Sequence, residues 1–453
     1  MKYVNSGSKA MLVLTVAMTV AFSQAGNATA AEQGKRKKTV ESLEQTLKIL
    51  PASEGKIISA NTMNMVSASD EDATGSEHIL LDINGSMQFQ YIKVNADPQI
   101  NEMNIRRFNL SVIAQVNEKV SLIVEPEYGK SMPATRDAYA TFDISGTPVN
   151  LKNSGAYAGS LVIFAGNHRV PFSAEALQND INLRFVERNL TSQISPDRMV
   201  GLSFVRAMLD KKLTVQVGVW NSNLNSKAEA NLINNRLGDN QIFAPITGTT
   251  TGSTIAIKAI RVGYSTAGRA NFYDRSKGFS EDENFKGETN MGYGFSYYNS
   301  SVATTGAAAT AALTGFNGAR AYEADMSIRI GKLSAEIEYA NRSLDWWQYN
   351  PATLSVAVNS VQTSYSVQAS YLVMENMSVA LRKESFSYDG SGQVLKGAYG
   401  QDKDDWTTVG VNYYSKDLNT KIQGNYILKN ESMPVGAVEP SNNTLLIQST
   451  TYF

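Results

Sequence analysis

Tyr322-Glu323-Ala324-Asp325-Met326-Ser327-Ile328-Arg329-Ile330, then Gly331-Lys332, then Leu333-Ser334-Ala335-Glu336-Ile337-Glu338-Tyr339, is the stretch that decides the fold. Tyr322, Ala324, Met326, Ile328 and Ile330 alternate with Glu323, Asp325, Ser327 and Arg329. After the Gly-Lys turn, Leu333, Ala335, Ile337 and Tyr339 alternate with Ser334, Glu336 and Glu338. A period of two is a strand period, so this is a β-hairpin with one apolar face and one charged face. In a soluble sandwich the large aliphatics pack against a partner sheet and the polar side meets solvent. Here acids and arginine follow one another along one face, which suits a wide wet interior.

The same alternation recurs along the chain. It begins with Leu81, Ile83, Met87, Phe89 and Tyr91, and continues through Phe108 to Val116, Val120 to Tyr128 and Ala138 to Ile144. It returns at Leu161, Val200, Leu213, Ile255 and Met291, then at Val367, Val379, Val411 and Ile422, and ends with Thr444 to Phe453. About sixteen strands result, an even number as bacterial single-chain membrane barrels require. Short turns at 117–118, 210–211, 331–332, 375–376 and 416–417 alternate with long polar loops near 221–253, 300–319, 344–361, 389–405 and 429–442. Two connectors, 145–159 and 265–288, are long on the short-turn side. Apolar faces often end in aromatics, as at Tyr128, Phe142 and Tyr426; Tyr365 and Tyr371 stand roughly 20 Å apart along one strand, close to the height of an apolar band between aromatic girdles. The expected fold class is all-β: a transmembrane antiparallel barrel over 79–453.

Composition agrees. There is no cysteine, which excludes disulfides and Cys-based zinc sites, and there are only two histidines, His78 and His168. No metal or cofactor site is expected. Net charge of -1 offers no field for nucleic acid. Mean hydropathy of -0.24 suits a barrel whose apolar surface is diluted by alternation. Residues 1–30 read as an export signal: Lys2 and Lys9, an apolar run from Ala10 to Phe22, and Ala28-Thr29-Ala30 before the expected cleavage. Residues 31–78 read as a periplasmic segment. Val40, Leu43, Leu47 and Leu50 have the spacing of a short coiled coil or of a frayed helix, and a polar linker follows Pro51.

Between the strands at Leu161 and Val200 lies an insertion far longer than a hairpin needs. Loop 169–197 mixes Arg169, Arg184 and Arg188 with Glu175, Asp180, Glu187 and Asp197, contains no lysine, and reads as too polar for a core. Its expected place is the lumen, where it narrows the pore. Glu187-Arg188 reads either as a clamp holding the loop to the wall or as a solute contact. Pairs such as Glu125/Glu127 and Glu336/Glu338 have a spacing of about 7 Å that could serve acid/base chemistry, but lumen lining is the simpler reading. His168 is read as a pore-mouth residue in preference to a general base. The runs 301–315 and 247–253 look like plain loop material.

Arg106-Arg107 before Phe108-Asn109-Leu110, Asp137-Ala138-Tyr139, and the series Phe164-Ala165-Gly166, Pro171-Phe172, Glu175, Phe185, Glu187-Arg188, Leu190, Pro196, Arg198 and Gly201 resemble the phosphate-selective porin O and P family. The terminal Tyr452-Phe453 resembles the assembly signal of outer-membrane barrels, although Ser449 and Thr451 occupy positions usually apolar. The resemblance implies a sixteen-stranded trimeric porin of the bacterial outer membrane with its third external loop folded inward. Expected constriction residues are Arg107, Arg169, Arg184, Glu187, Arg188 and Arg198; expected lumen-lining residues are Glu125, Glu127, Asp137, Arg329, Glu336, Glu338 and Arg382. Anion selectivity, for phosphate among others, requires an excess of basic charge along the path. Arg107, Arg184, Arg188, Arg198, Arg329, Arg342 and Arg382 supply positive charge, while Asp143, Glu323 and Asp325 join the acids already named. Passive diffusion of ions and small polar solutes is therefore the expected function. The alternative is a barrel that anchors an enzyme or adhesin.

Overall fold

The computed structural model describes residues 80–95, 99–117, 119–129, 134–144, 161–209, 212–223, 254–266, 289–303, 314–348, 356–390, 403–415, 419–433 and 442–453. The expected signal peptide, the coiled-coil spacing at 40–50, the linker and the connector at 145–159 lie outside the described residues, as does nearly all of the connector at 265–288.

Sixteen strands form. The first eight are β1 (Leu80–Val94), β2 (Ile100–Gln115), β3 (Val120–Gly129), β4 (Ala134–Asp143), β5 (Leu161–Arg169), β6 (Arg198–Met208), β7 (Leu213–Asn223) and β8 (Thr254–Ser265). The rest are β9 (Asn290–Ala303), β10 (Thr314–Ile330), β11 (Leu333–Gln348), β12 (Val356–Met374), β13 (Met377–Gly390), β14 (Lys403–Tyr414), β15 (Thr420–Ser432) and β16 (Thr444–Tyr452). Each pairs antiparallel with the next, and β16 returns to β1 through Ser86↔Tyr452 to Val94↔Thr444, closing the barrel. Closure leaves no edge with unpaired backbone groups, which is what a bilayer demands. The last residue takes part: Phe453 exchanges backbone hydrogen bonds with Gly85, and its ring lies where a Cβ on Gly85 would stand, only 2.6 Å from the ring edge.

Alternation sets the faces. Ile337, Val367, Leu381, Val409 and Ile447 point outward and are exposed, whereas Gln88, Glu323, Gln362, Thr408 and Gln423 point inward and are buried. Outward tyrosines neighbour one another in register: Tyr297 faces Tyr322, Tyr339 faces Tyr365, and Tyr264 faces Tyr293. Across β4 to β7, by contrast, no described outward position holds Tyr or Trp; Tyr139 and Trp220 turn inward and are buried. Several strands run further than the side-chain pattern indicates. β9 reaches Ala303, β10 starts at Thr314, β11 reaches Gln348 and β12 starts at Val356, so the expected loops at 300–319 and 344–361 are shorter. Ladder hydrogen bonds extend a strand whatever its side chains, and the alternation fades where they do.

Two irregularities matter for the interior. The register of β1 with β2 shifts between Gln88↔Arg107 and Phe89↔Ile105, leaving Arg106 as an extra residue. The register of β3 with β4 shifts between Glu125↔Asp137 and Pro126↔Thr135, leaving Arg136 as another. A bulge re-aims side chains, and here it turns adjacent residues toward the same lumen.

Candidate functional site

The insertion between β5 and β6 leaves the wall and returns to it at one point. Val170 N–H donates to Asp197 C=O at 2.8 Å and Ser195 Oγ–H to Phe172 C=O at 3.1 Å, closing the base of the loop. Near each end the backbone takes a positive φ at a residue other than glycine, 66° at Ser173 and 61° at Asp197. Ser173 caps a single helical turn, α1 (Ala174–Leu177), by accepting from Ala176 N–H. Asn179 and Asn189 cap 3-10 turns at Asp180–Asn182 and Leu190–Ile194 in the same way. These caps satisfy backbone donors that have no ladder partner.

The loop carries a core of its own, contrary to the expectation from its charge. Val170, Phe172, Leu177, Ile181, Leu183, Phe185, Val186, Leu190 and Ile194 are all buried. Several pack against inward-facing Trp220, Ile257, Tyr298, Leu344, Phe386 and Trp406, with small Ala259, Ala319, Ala321 and Ala340 leaving room on the wall. Composition averages over the segment; burial sorts its residues one by one.

Wall side chains complete the loop's backbone. Lys421 Nζ donates to Ile181 C=O at 2.8 Å and to Leu183 C=O at 2.7 Å, and Gln423 Nε2 to the carbonyls of Leu183 and Arg184. Val186 N–H donates to Asn425 Oδ1 at 2.7 Å, and Leu190 N–H to Glu384 Oε2 at 2.8 Å. Unpaired peptide groups buried inside a barrel would be costly, and these contacts remove that cost.

Along β2 to β4 the contacts are ionic. Arg106 pairs with Glu187 and also donates to Gln90 Oε1 at 3.2 Å. Asp180 sits among three guanidiniums: Arg188 Nη2 at 2.5 Å, Arg107 Nε at 3.7 Å, and Arg136 in direct contact. Arg136 also meets Glu125 and Glu127, and Arg198 joins Asp137 at 2.8 Å and Asp197 at 3.1 Å. Arg188 further donates to the carbonyls of Glu175 and Gln178. Two carboxyls of this one loop are driven apart by their surroundings. Burial alone would raise Asp180, but Arg107, Arg136 and Arg188 overrule it and hold the carboxyl well below the usual range. At Glu175 burial wins; it pushes the carboxyl up to about 8, against the pull of Arg382 and with help from Glu336 and Glu338.

The expected site residues divide by exposure. Glu187, Glu127, Arg107 and Arg188 keep 33, 26, 20 and 19% of their side-chain surface open. Arg184 is half-buried and donates to Ser334 Oγ at 2.7 Å, and Arg329 is half-buried near the Gly331 turn. Arg198, Glu125 and Asp137 take part in the ionic wall at lower exposure. Arg169, Glu336, Glu338 and Arg382 face inward but do not line an open path: the loop covers them, and Arg382 lies with its guanidinium 4.6 Å from the centroid of Phe185. Arg342 is covered as well and donates to Gln362 at 2.6 Å. Alternation shows which face a residue is on; it does not show what is laid over that face. Arg106 and Arg136 escape alternation because of the bulges, yet a charged pair such as Arg106-Arg107 or Arg136-Asp137 inside an alternating strand is the signal that could have found them.

His168 is not at a pore mouth. It is fully buried between Tyr139, Phe164 and Trp220. Its Nδ1 stands 2.9 Å from Gly166 C=O, so it carries the proton, and Nε2 accepts from Ser203 Oγ at 2.9 Å. This resembles a nucleophile and base, but both residues are sealed from solvent.

The model of the family described as phosphate-selective porin O and P matches residues 81–449. No curated protein matches the chain. Among solved structures, the outer-membrane channel DcaP of Acinetobacter baumannii shares 10% identity at a TM-score of 0.50, covering 83% of this chain and 98% of that one. An anion-selective porin from Comamonas acidovorans shares 11% at 0.45, covering 83% and 100%. The trimer form of OmpT from Vibrio cholerae shares 12% at 0.47, covering 83% and 99%. With a closed sixteen-strand barrel, a polar interior and a family match that spans nearly the whole of it, the chain belongs to the phosphate-selective porin O and P family and is an outer-membrane channel.

Proposed function

We propose that the channel passes ions and small polar solutes by passive diffusion, with weak selectivity, past a mixed-charge constriction between the inserted loop and the β1–β4 wall. One observation carries this reading: Arg106, Arg107, Arg136, Arg188 and Arg198 each share a carboxylate, and the most open of these charges include both signs. A free row of guanidiniums would grip an oxyanion bidentately. Here the forks are already engaged, so phosphate has to compete with Asp180, Glu187 and Glu127. We expect single channels in a KCl gradient to give a reversal potential near zero, with phosphate reducing the chloride current only when its concentration is comparable to that of chloride. Glu187→Gln leaves Arg106 without its partner and shifts permeability a few-fold toward anions; Arg106→Gln shifts it toward cations. A wild-type pore that excludes one sign of ion, or variants that leave the reversal potential unchanged, would refute the proposal.

We further propose a homotrimer built on the outward face of β4 to β7. Tyrosines belong where a barrel meets the headgroups, and among the described residues of this wall none faces outward, while Leu202, Phe204, Val217 and Val219 are exposed on it. A second copy of the chain explains a wall that carries apolar residues and, among its described outward positions, no interfacial tyrosine or tryptophan. The double variant Leu202→Lys/Val217→Lys is expected to yield a folded barrel of one-third the wild-type mass, measured by light scattering in detergent. Retention of the wild-type mass would exclude this wall as the interface.

A further inference from the structure

Beneath the inserted loop three carboxyl groups meet. Glu175 of α1 and Glu336 and Glu338 of β11 each offer an oxygen within 4.8 Å of the other two, and all three residues are buried. Their neighbours do not neutralise them fully. Arg382 Nη1 stands 3.6 Å from Glu175, with its Nε engaged by Glu384 at 3.1 Å, and Arg184, which donates to Ser334, is the positive charge acting on Glu336, so these two guanidiniums serve four carboxyls. Asn189 Nδ2 donates to Glu338 Oε2 at 2.7 Å, Ser173 also hydrogen-bonds Glu338, and Gln178 and Gln368 hydrogen-bond Glu336, while Oε1 of each of these two glutamates stays buried without a partner. A fourth side chain reaches the cluster independently. Gln368, 3% exposed, sets its amide nitrogen 3.4 Å from Glu175 Oε2, and its carbonyl oxygen is likewise without a partner.

Three carboxylates this close cannot all stay charged without a counter-ion. A shared proton bridges two oxygens at a time; one divalent cation can take all three carboxyls, and Gln368, whose nitrogen faces them here, can add its oxygen by turning its amide over. We propose that Glu175, Glu336 and Glu338, joined by the Gln368 oxygen once its amide turns over, bind a calcium ion that ties the inserted loop to β11. The donor set is all oxygen, which suits a hard cation. Burial favours calcium: magnesium gives up its water reluctantly and keeps several waters, which suits it poorly to a site of three buried carboxyls beneath the loop. The ion would act as a staple, because Glu175 arrives on the loop while Glu336 and Glu338 are fixed on the wall.

The test uses full-length protein in detergent, stripped with EDTA and titrated with CaCl2 or MgCl2 by calorimetry and by thermal unfolding. We expect one calcium ion per chain and a Tm that rises with calcium. Glu336→Gln and Glu338→Gln should each weaken binding at least about tenfold and lose the calcium-dependent rise in Tm. Both should fold without calcium, since removing a charge from a crowded cluster relieves repulsion. Glu431→Gln, a buried carboxyl elsewhere on the wall, should retain both responses. No saturable calcium binding up to about 10 mM, well above the range of weak extracellular calcium modules, would overturn the proposal. So would a calcium response that survives in both glutamine variants, or a stripped protein whose Tm answers to pH alone. An equal response to magnesium would overturn the assignment to calcium. The readouts are binding and melting, so their failure leaves the reading of ion passage standing.

Discussion

Asp180→Asn is expected to release the inserted loop from the β2–β4 wall. The wild-type carboxylate lies among Arg107, Arg136 and Arg188 and is almost wholly buried, with 2% of its side chain open. Removing one partner from a buried ionic contact costs about 3–5 kcal/mol, because the remaining charges stay desolvated. The lower end applies here: Arg107 keeps Glu127, and Arg136 keeps Glu125 and Glu127. Arg188 keeps the carbonyls of Glu175 and Gln178. Trypsin should then cut at Arg184 or Arg188 in the variant and leave the wild-type loop intact, and single-channel current should become noisier. The same contact predicts a pH effect with a definite sign. The folded-state value of Asp180 is depressed, so its contribution is present above the ordinary carboxyl value of 3.8 and is lost as pH falls through the depressed one. Wild-type single-channel current should therefore grow noisier in strong acid, while that of Asp180→Asn should lack this step. Equal trypsin resistance in the two proteins at neutral pH would show that the ionic wall does not hold the loop.

Gly166→Ala is expected to cost more. Gly166 sits within β5 at a φ of +130°, which L side chains rarely adopt, and a Cβ there would stand 2.4 Å from Ala138 C=O and 2.7 Å from Tyr139 Cα. Both atoms belong to the backbone of β4, so no rotamer change relieves the clash. Backbone strain of about 1–3 kcal/mol adds to an overpacking cost of about 1–3 kcal/mol. Displacing this position also disturbs the carbonyl to which His168 donates. Gly424→Ala is the matched control, since a Cβ at Gly424 meets nothing within 4 Å. Thermal unfolding in detergent should show a large loss for the first substitution and almost none for the second. Equal melting temperatures would mean that β4 and β5 can separate freely at this point.

Much of the fold was legible because barrel geometry writes itself into alternation. Glu323 and Tyr322, or Glu338 and Tyr339, must point to opposite faces once they lie on a strand, and a barrel assigns one face to lipid and the other to the lumen. Strand number and the position of the insertion followed from the same rule. Arg106 and Arg136 broke the rule, since each occupies a bulge that only the pairing with a neighbouring strand defines. His168 was misplaced because its ring packs against Trp220 and Ser203, residues far from it in the chain.

The interior separates what each level determines. The sequence by itself determined that Arg382, Glu336 and Glu338 face inward and that a long segment must go somewhere between β5 and β6. Only the tertiary structure decided that this segment covers those three residues, because that depends on Phe185 meeting Arg382, Lys421 holding Ile181 and Leu183, and Asp180 drawing three arginines together. Alternation is local and has a fixed period, so it survives in one dimension. Contacts such as Lys421 with Ile181, 240 residues apart along the chain, exist only once the barrel has closed.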